Sequence, residues 1–281
     1  MMCTNLVSLP VGDAIQEAWH DEIIEYENDG NSYSSVVDWT DDAVRGSNWA
    51  ENDWFEWGED QTSTEGTDWA DVILYFGHGG AGVDQGRWRV EITMGGKEEE
   101  EEWVDVCPIR SYDYFDFMPY AGHLQFGVSG GDANFLVLFT CHGGEYNVWL
   151  EYGWDAAMGA GQMNQILAFH GTAYTYSGID DDFEEFMAHS CCSHIGDRWV
   201  EHASYSMYKE NPTGGDNCPV VMGWGKSHAA IEYAIYQYQA FLNFKDKTPA
   251  DYSHYYFVEE CEADDVVGED LPEESPVEDR D

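Results

Sequence analysis

Positive charge is scarce in this chain: 11 Lys and Arg stand against 56 Asp and Glu, for a formal net charge of −45. With no basic stripe to release counterions from phosphates, nucleic acid is not an expected partner. Long apolar runs are also lacking. None approaches the roughly 18 residues of a membrane helix, so no membrane partner is expected. Residues 1–10 carry no basic segment ahead of their short apolar patch, which argues against a signal peptide and for a cytoplasmic location. No CxxC pair occurs. The seven cysteines (Cys3, Cys107, Cys141, Cys191, Cys192, Cys218 and Cys261) are odd in number and scattered. No disulfide framework is apparent, and reactive or buried thiols in a reduced interior are expected.

What is present describes a packed protein. The 281 residues are 43% hydrophobic and 15% aromatic, with 12 Trp and 18 Tyr, far more aromatic than a disordered chain. That length suits one α/β domain with a substantial core. The acidic residues run through the whole chain, whereas a basic partner would need one acidic patch. Adaptation to a salty cytoplasm explains the distribution better, because molar salt shortens the Debye length to about 3 Å and screens the self-repulsion.

Periodicity places Ala14, Ile15, Ala18, Trp19 and Ile23 on one face of a helix over about 14–27, with Asp13 as N-cap. Four apolar runs read as strands buried on both faces: residues 71–76, 135–139, 165–169 and 219–222. Residues 87–93 alternate and read as a half-exposed strand or hairpin. Further helices are expected over about 147–158, 181–189, 195–209 and 228–243. Strands alternating with helices predict a three-layer α/β/α sandwich with a mostly parallel sheet. A single domain would span 1–258, followed by an acidic tail over 259–281. The acidic run 98–102 reads as a solvated loop.

Three of the four buried runs end in residues able to do chemistry. The first ends in Gly77-His78-Gly79-Gly80, the second in Thr140-Cys141-His142-Gly143-Gly144 and the third in His170-Gly171. Ligands of open α/β sheets collect beyond the carboxyl ends of the strands, so His78 and Cys141 are the candidate reactive pair. Gly77, Gly79, Gly80, Gly143 and Gly144 would let a substrate backbone approach and would leave amides pointing at it. Taken singly, a His after a strand is usually structural, and a Cys there is usually a small buried hydrophobe. The pairing on two strands of one sheet raises the functional reading above either. If it holds, both residues share one cleft at the carboxyl edge of adjacent parallel strands.

An apolar strand ending in His-Gly, followed by another ending in a small residue and Cys, resembles the caspase, gingipain, clostripain and legumain clan of cysteine peptidases. The caspase spacing of about 50 residues from His to Cys is matched loosely. Residues 47–54, the blocks at His78 and Cys141, the strand ending at Gly171 and Ile195-Gly196-Asp197-Arg198-Trp199 resemble an uncharacterised haloarchaeal and bacterial group of that clan, domain-of-unknown-function family 6345. Two positions depart from the clan: Thr140 stands where Ala or Ser is usual, and His142 where caspases have Arg, Gln or Gly. The resemblance implies a caspase–haemoglobinase-like fold and a cysteine endopeptidase of peptide or protein substrates, with no cofactor. It implies Cys141 as nucleophile, His78 as proton donor to the leaving amine, and the amides of Gly79 and Cys141 as oxyanion donors. A catalytically silent relative that binds peptides is the alternative, and the oligomeric state is left open.

Other candidates are weaker. His142 and His170 lie near the expected cleft and would contact substrate or serve structure. Trp224, at the end of the fourth run, would wall a pocket or pack at the rim. His189-Ser190-Cys191-Cys192-Ser193-His194 offers four metal-ligating side chains and could seed a zinc-stabilised structural module. Adjacent Cys191 and Cys192 diverge on regular backbone, so a helix end is the simpler reading and no metal is assigned.

Overall fold

In the computed structural model the described residues are 2–4, 15, 17–22, 38–40, 67–76, 78–84, 87–94, 107–110, 133–141, 143–144, 163–171, 173, 178–191, 194–210, 218–224, 227–233, 235–236 and 253–257. Ten strands are placed: β1 (Met2–Thr4), β2 (Asp38–Thr40), β3 (Val72–Phe76), β4 (His78–Asp84), β5 (Arg87–Met94), β6 (Cys107–Arg110), β7 (Phe135–Phe139), β8 (Gln165–His170), β9 (Cys218–Trp224) and β10 (Ser253–Phe257). Helical residues 15 and 17–22 form α1. They are followed by α2 (Ile179–Ser190), α3 (Ile195–Glu210) and α4 (His228–Tyr233). The expected helix over 147–158, the acidic run 98–102 and the tail 259–281 lie outside the described residues.

The main sheet has seven strands in the order β10-β9-β8-β7-β3-β1-β2. Its first five strands in sequence around the centre, β2-β1-β3-β7-β8, are parallel, an order shared with doubly wound sheets. The fold is therefore α/β with a mixed, mostly parallel sheet. A separate three-stranded antiparallel sheet, β4-β5-β6, is inserted between β3 and β7.

Val72–Phe76 and Phe135–Phe139 are buried at every position, which is why they read as continuous apolar runs rather than alternating ones. On one face Leu74, Phe76, Val137, Phe139, Leu167 and Phe169 pack with Trp19 of α1, Phe183 and Phe186 of α2, and Trp199 of α3. The opposite set, including Ile73, Tyr75, Leu136, Leu138, Ile166 and Ala168, is equally buried. The aromatic residues cluster near the carboxyl ends of three strands. Phe139 lies 5.1 Å from both Phe76 and Phe169, and Phe169 lies 5.0 Å from Trp199. Such pairs add about 0.5–1.5 kcal/mol each beyond area burial and pin the strand ends from which the site projects. Trp199 also donates its Nε1–H to the Ala168 carbonyl at 3.2 Å. At the amino edge, buried Asn164 Nδ2 donates to Asn134 Oδ1 at 2.7 Å, and Asp68 Oδ1 accepts from the Ala133 amide. These polar groups lock the start of β7 to its neighbours.

Two features differ from the sequence expectation. Strand β9 runs antiparallel to β8, with His170 opposite Cys218 and Gln165 opposite Gly223. The reason is the number of helices in the connection. α2 and α3 reverse the chain twice, so β9 starts at the edge where β8 ends. β10 then adds a further antiparallel strand, with Tyr255 opposite Met222.

After β7 the chain folds back onto its neighbours. The Gly144 amide donates to the Phe169 carbonyl at 2.8 Å, and a β-carbon at Gly144 would stand 2.2 Å from Val220 Cγ2. Gly144→Ala should therefore destabilise the fold by about 1–3 kcal/mol through overpacking. In urea unfolding, Val220→Ala should recover part of that loss when combined with it. Simple additivity of the two changes would show that the close approach is not what requires glycine.

Candidate functional site

The carboxyl edge of the parallel strands is the place to look, and its backbone register is well defined. β3 and β7 are adjacent and parallel, with Phe76 opposite Phe139 as the last pair. His78 and Cys141 each stand two residues further along the chain, so both follow the carboxyl ends of adjacent parallel strands.

Cys141 is half-buried and carries a thiol, as does Cys191. Its Sγ accepts a hydrogen bond from the Ala173 amide at 3.4 Å and lies 3.7 Å from the Ala173 carbonyl oxygen, to which the S–H can donate. Ala173 follows β8, so the segment after that strand cradles the sulfur. Gly171, with φ at 80°, permits the turn immediately after β8; a side chain there would be strained. Buried Thr140 donates its hydroxyl to the Cys141 carbonyl at 3.4 Å. A β-carbon on Gly143 would come within 2.8 Å of Thr140 Oγ1. The Thr140 hydroxyl thus adds a local clasp on the Cys141 turn.

Several expectations are corrected. Gly79 and Gly80 belong to β4, opposite Ile92 and Glu91 of β5, and not to an open glycine loop; the chain enters a new strand directly at His78. The Gly144 amide is consumed by Phe169 and cannot point at a substrate. His170 is 2% exposed, so it belongs to the interior and is closed to a substrate. Trp224 stands opposite Ser253 at the end of β9 remote from Cys218. Since β9 is antiparallel, that end lies at the amino edge of β8, away from Cys141. Cys218, the first residue of β9, pairs with His170 at the carboxyl edge of β8. It is also disulfide-bonded, which corrects the expectation of wholly reduced cysteines. His142 and Gly77 lie outside the described residues.

Among the described residues no group of three or more His, Cys, Asp or Glu is arranged to hold a metal ion; Cys192 and Ser193 lie outside them. Cys191 packs against the core. His189 instead meets His202, a residue that sequence reasoning did not single out, with Nδ1 and Nε2 3.0 Å apart. No local signal links them, because they lie on different helices and meet only when α2 and α3 pack.

Burial pulls His202 below its ordinary value of 6.5; Glu201 and Glu185 oppose the shift, while His189 and Arg198 add to it. The unfolded chain therefore binds this proton first as pH falls. The stabilisation is present above about 6.5 and is lost between that value and the lower folded one. Thermal melts in metal-free buffer should show this loss on acidification, and His202→Gln should flatten the slope in that window. An unchanged slope would assign the acid sensitivity to other groups.

Among the described residues no helix is long and apolar enough to cross a membrane. Comparison with protein-family models, curated proteins and solved structures gives no match for this chain, so its function has to be argued from strand order and the residues at the strand ends.

Proposed function

We propose that this protein is a caspase-like cysteine endopeptidase acting on peptide or protein substrates through Cys141 and His78. The observation that carries the reading is the register of β3 and β7, which sets both residues two positions beyond the last pair of adjacent parallel strands. In this reading the Cys141 thiolate attacks the scissile carbonyl, and His78 delivers a proton to the leaving amine. The acyl-enzyme is then hydrolysed by water. The Cys141 amide serves as an oxyanion donor. Burial of both faces of β3, β7 and β8 supports the three-layer sandwich. The dispersed acidic surface supports a salt-adapted protein. A cytoplasmic location has weaker support, because the Cys218 disulfide fits an oxidising setting better.

One observation favours a second reading, that of a silent, peptide-binding relative. The sulfur is bracketed by the amide and the carbonyl of Ala173, which is also how a purely structural thiol is satisfied. A peptide probe bearing a thiol-reactive group, applied in molar salt, separates the two. The peptidase reading expects one covalent adduct mapped to Cys141 and blocked by excess peptide substrate. Reversible peptide binding with no adduct establishes the silent relative instead.

A further inference from the structure

The helical hairpin carries a second cluster of chemically able side chains, away from the carboxyl edge. His189 lies in the last turn of α2 and is exposed, while His202 lies in the middle of α3 and is mostly covered. Their facing nitrogens, Nδ1 of His189 and Nε2 of His202, are 3.0 Å apart. Their ring centroids are 5.1 Å apart, with planes at 33°. Two imidazole nitrogens bound to one ion at about 2.0–2.1 Å lie roughly 3 Å from each other. The pair is hydrogen-bonded, one ring N–H donating to the other nitrogen; the same spacing suits two ligands on one ion once the donating ring carries its proton on its outer nitrogen and the rings tilt so that both lone pairs converge.

The outer side of His202 is also suited to that role. Its other nitrogen, Nδ1, faces Glu185 Oε2 at 3.9 Å. A carboxylate behind a ligating histidine holds the proton on the outer nitrogen and leaves the inner one to the metal. The groups around the pair are Glu185 on α2 with Glu201 and Arg198 on α3. Arg198 is ion-paired with Glu201, so its charge is partly neutralised, and the whole chain is strongly anionic.

We infer that His189 and His202 form a two-nitrogen site for a divalent transition-metal ion, with Glu185 as the outer partner of His202 and solvent filling the remaining positions on the exposed His189 side. The chemistry selects an imidazole-binding ion such as Ni²⁺, Cu²⁺ or Zn²⁺ over Mg²⁺ or Ca²⁺, which take oxygen ligands. Bound metal would tie the end of α2 to the middle of α3, and through them the hairpin that reverses the chain before β9. This site differs from a metal centre built on Cys191, Cys192 and His194, because its second ligand comes from the other helix.

Titration of the full-length protein with Ni²⁺ alone, followed by calorimetry and by thermal melting, tests the assignment. One saturable equivalent is expected, together with a rise in melting temperature. His189→Gln and His202→Gln should each remove both effects, and Glu185→Gln should weaken binding by about tenfold. His189 is exposed, so His189→Gln gives a clean reading even if His202→Gln perturbs folding. Absence of a saturable equivalent in the native chain, or its survival in both histidine variants, overturns the assignment.

Discussion

Cys141→Ala is expected to abolish peptide hydrolysis and adduct formation with a thiol-reactive peptide, while leaving the melting temperature nearly unchanged. Sulfur is the only atom lost, and the position is half-buried rather than part of the sealed core. His78→Ala should retain measurable turnover but lower it by about 100- to 10,000-fold, the range a positioned acid–base group contributes. At limiting iodoacetamide, Cys141 should react before Cys191: both are half-buried, but Cys191 packs against the core whereas Cys141 follows a strand end with His78 as its candidate proton partner. Cys218 should not react until its disulfide is reduced. Peptide mapping reads all three. Preferential labelling of Cys191 with no effect of His78→Ala would remove the basis for a dyad and leave the silent relative standing.

Raising salt from about 0.1 M to several molar is expected to increase the melting temperature by roughly 10 °C or more. For a chain of this size that corresponds to a few kcal/mol, at about 2–4 °C per kcal/mol. The cause is charge density. Glu17, Asp21, Asp181, Glu184, Glu185, Glu201 and Glu232 are exposed on four different helices, and few cations lie among 56 carboxylates. At 0.1 M the Debye length is about 10 Å and the repulsion spans neighbouring helices; near 1 M it is about 3 Å and only contacts survive. Potassium chloride and sodium chloride should act alike if screening is the mechanism. A flat melting curve across that range would mean that the acidic residues serve a localised binding surface.

The strands that build the centre of the sheet were legible because they are buried on both faces, which leaves an unbroken apolar signature. Residues 71–76, 135–139 and 165–169 coincide with β3, β7 and β8 to within a residue. The amphipathic segments 181–189 and 195–209 coincide with α2 and α3 for a related reason: each must show one apolar stripe to the core, as Phe183, Phe186 and Met187 do on α2. β10 was missed. The run Ser253–Phe257 is short and lies in an acidic neighbourhood, which masks the strand preference of its Tyr and Phe residues. β4 was missed because three glycines in seven residues suppress any strand signal, and only its pairing with β5 makes it a strand.

By itself the sequence determined the α/β class, the apolar strands, the residues that follow them and the acidic character of the whole. All of these are set by local composition and period. Only the tertiary structure decided which strands are neighbours and which way each runs, because pairing joins residues distant along the chain. That step made the strands that precede His78 and Cys141 parallel neighbours and moved Trp224 to the opposite edge. It closed His170 inside, tied the Gly144 amide to Phe169 and brought His189 against His202. Direction in a sheet depends on how many times the connection reverses, and a second helix between β8 and β9 was enough to exchange the roles of the two ends of β9.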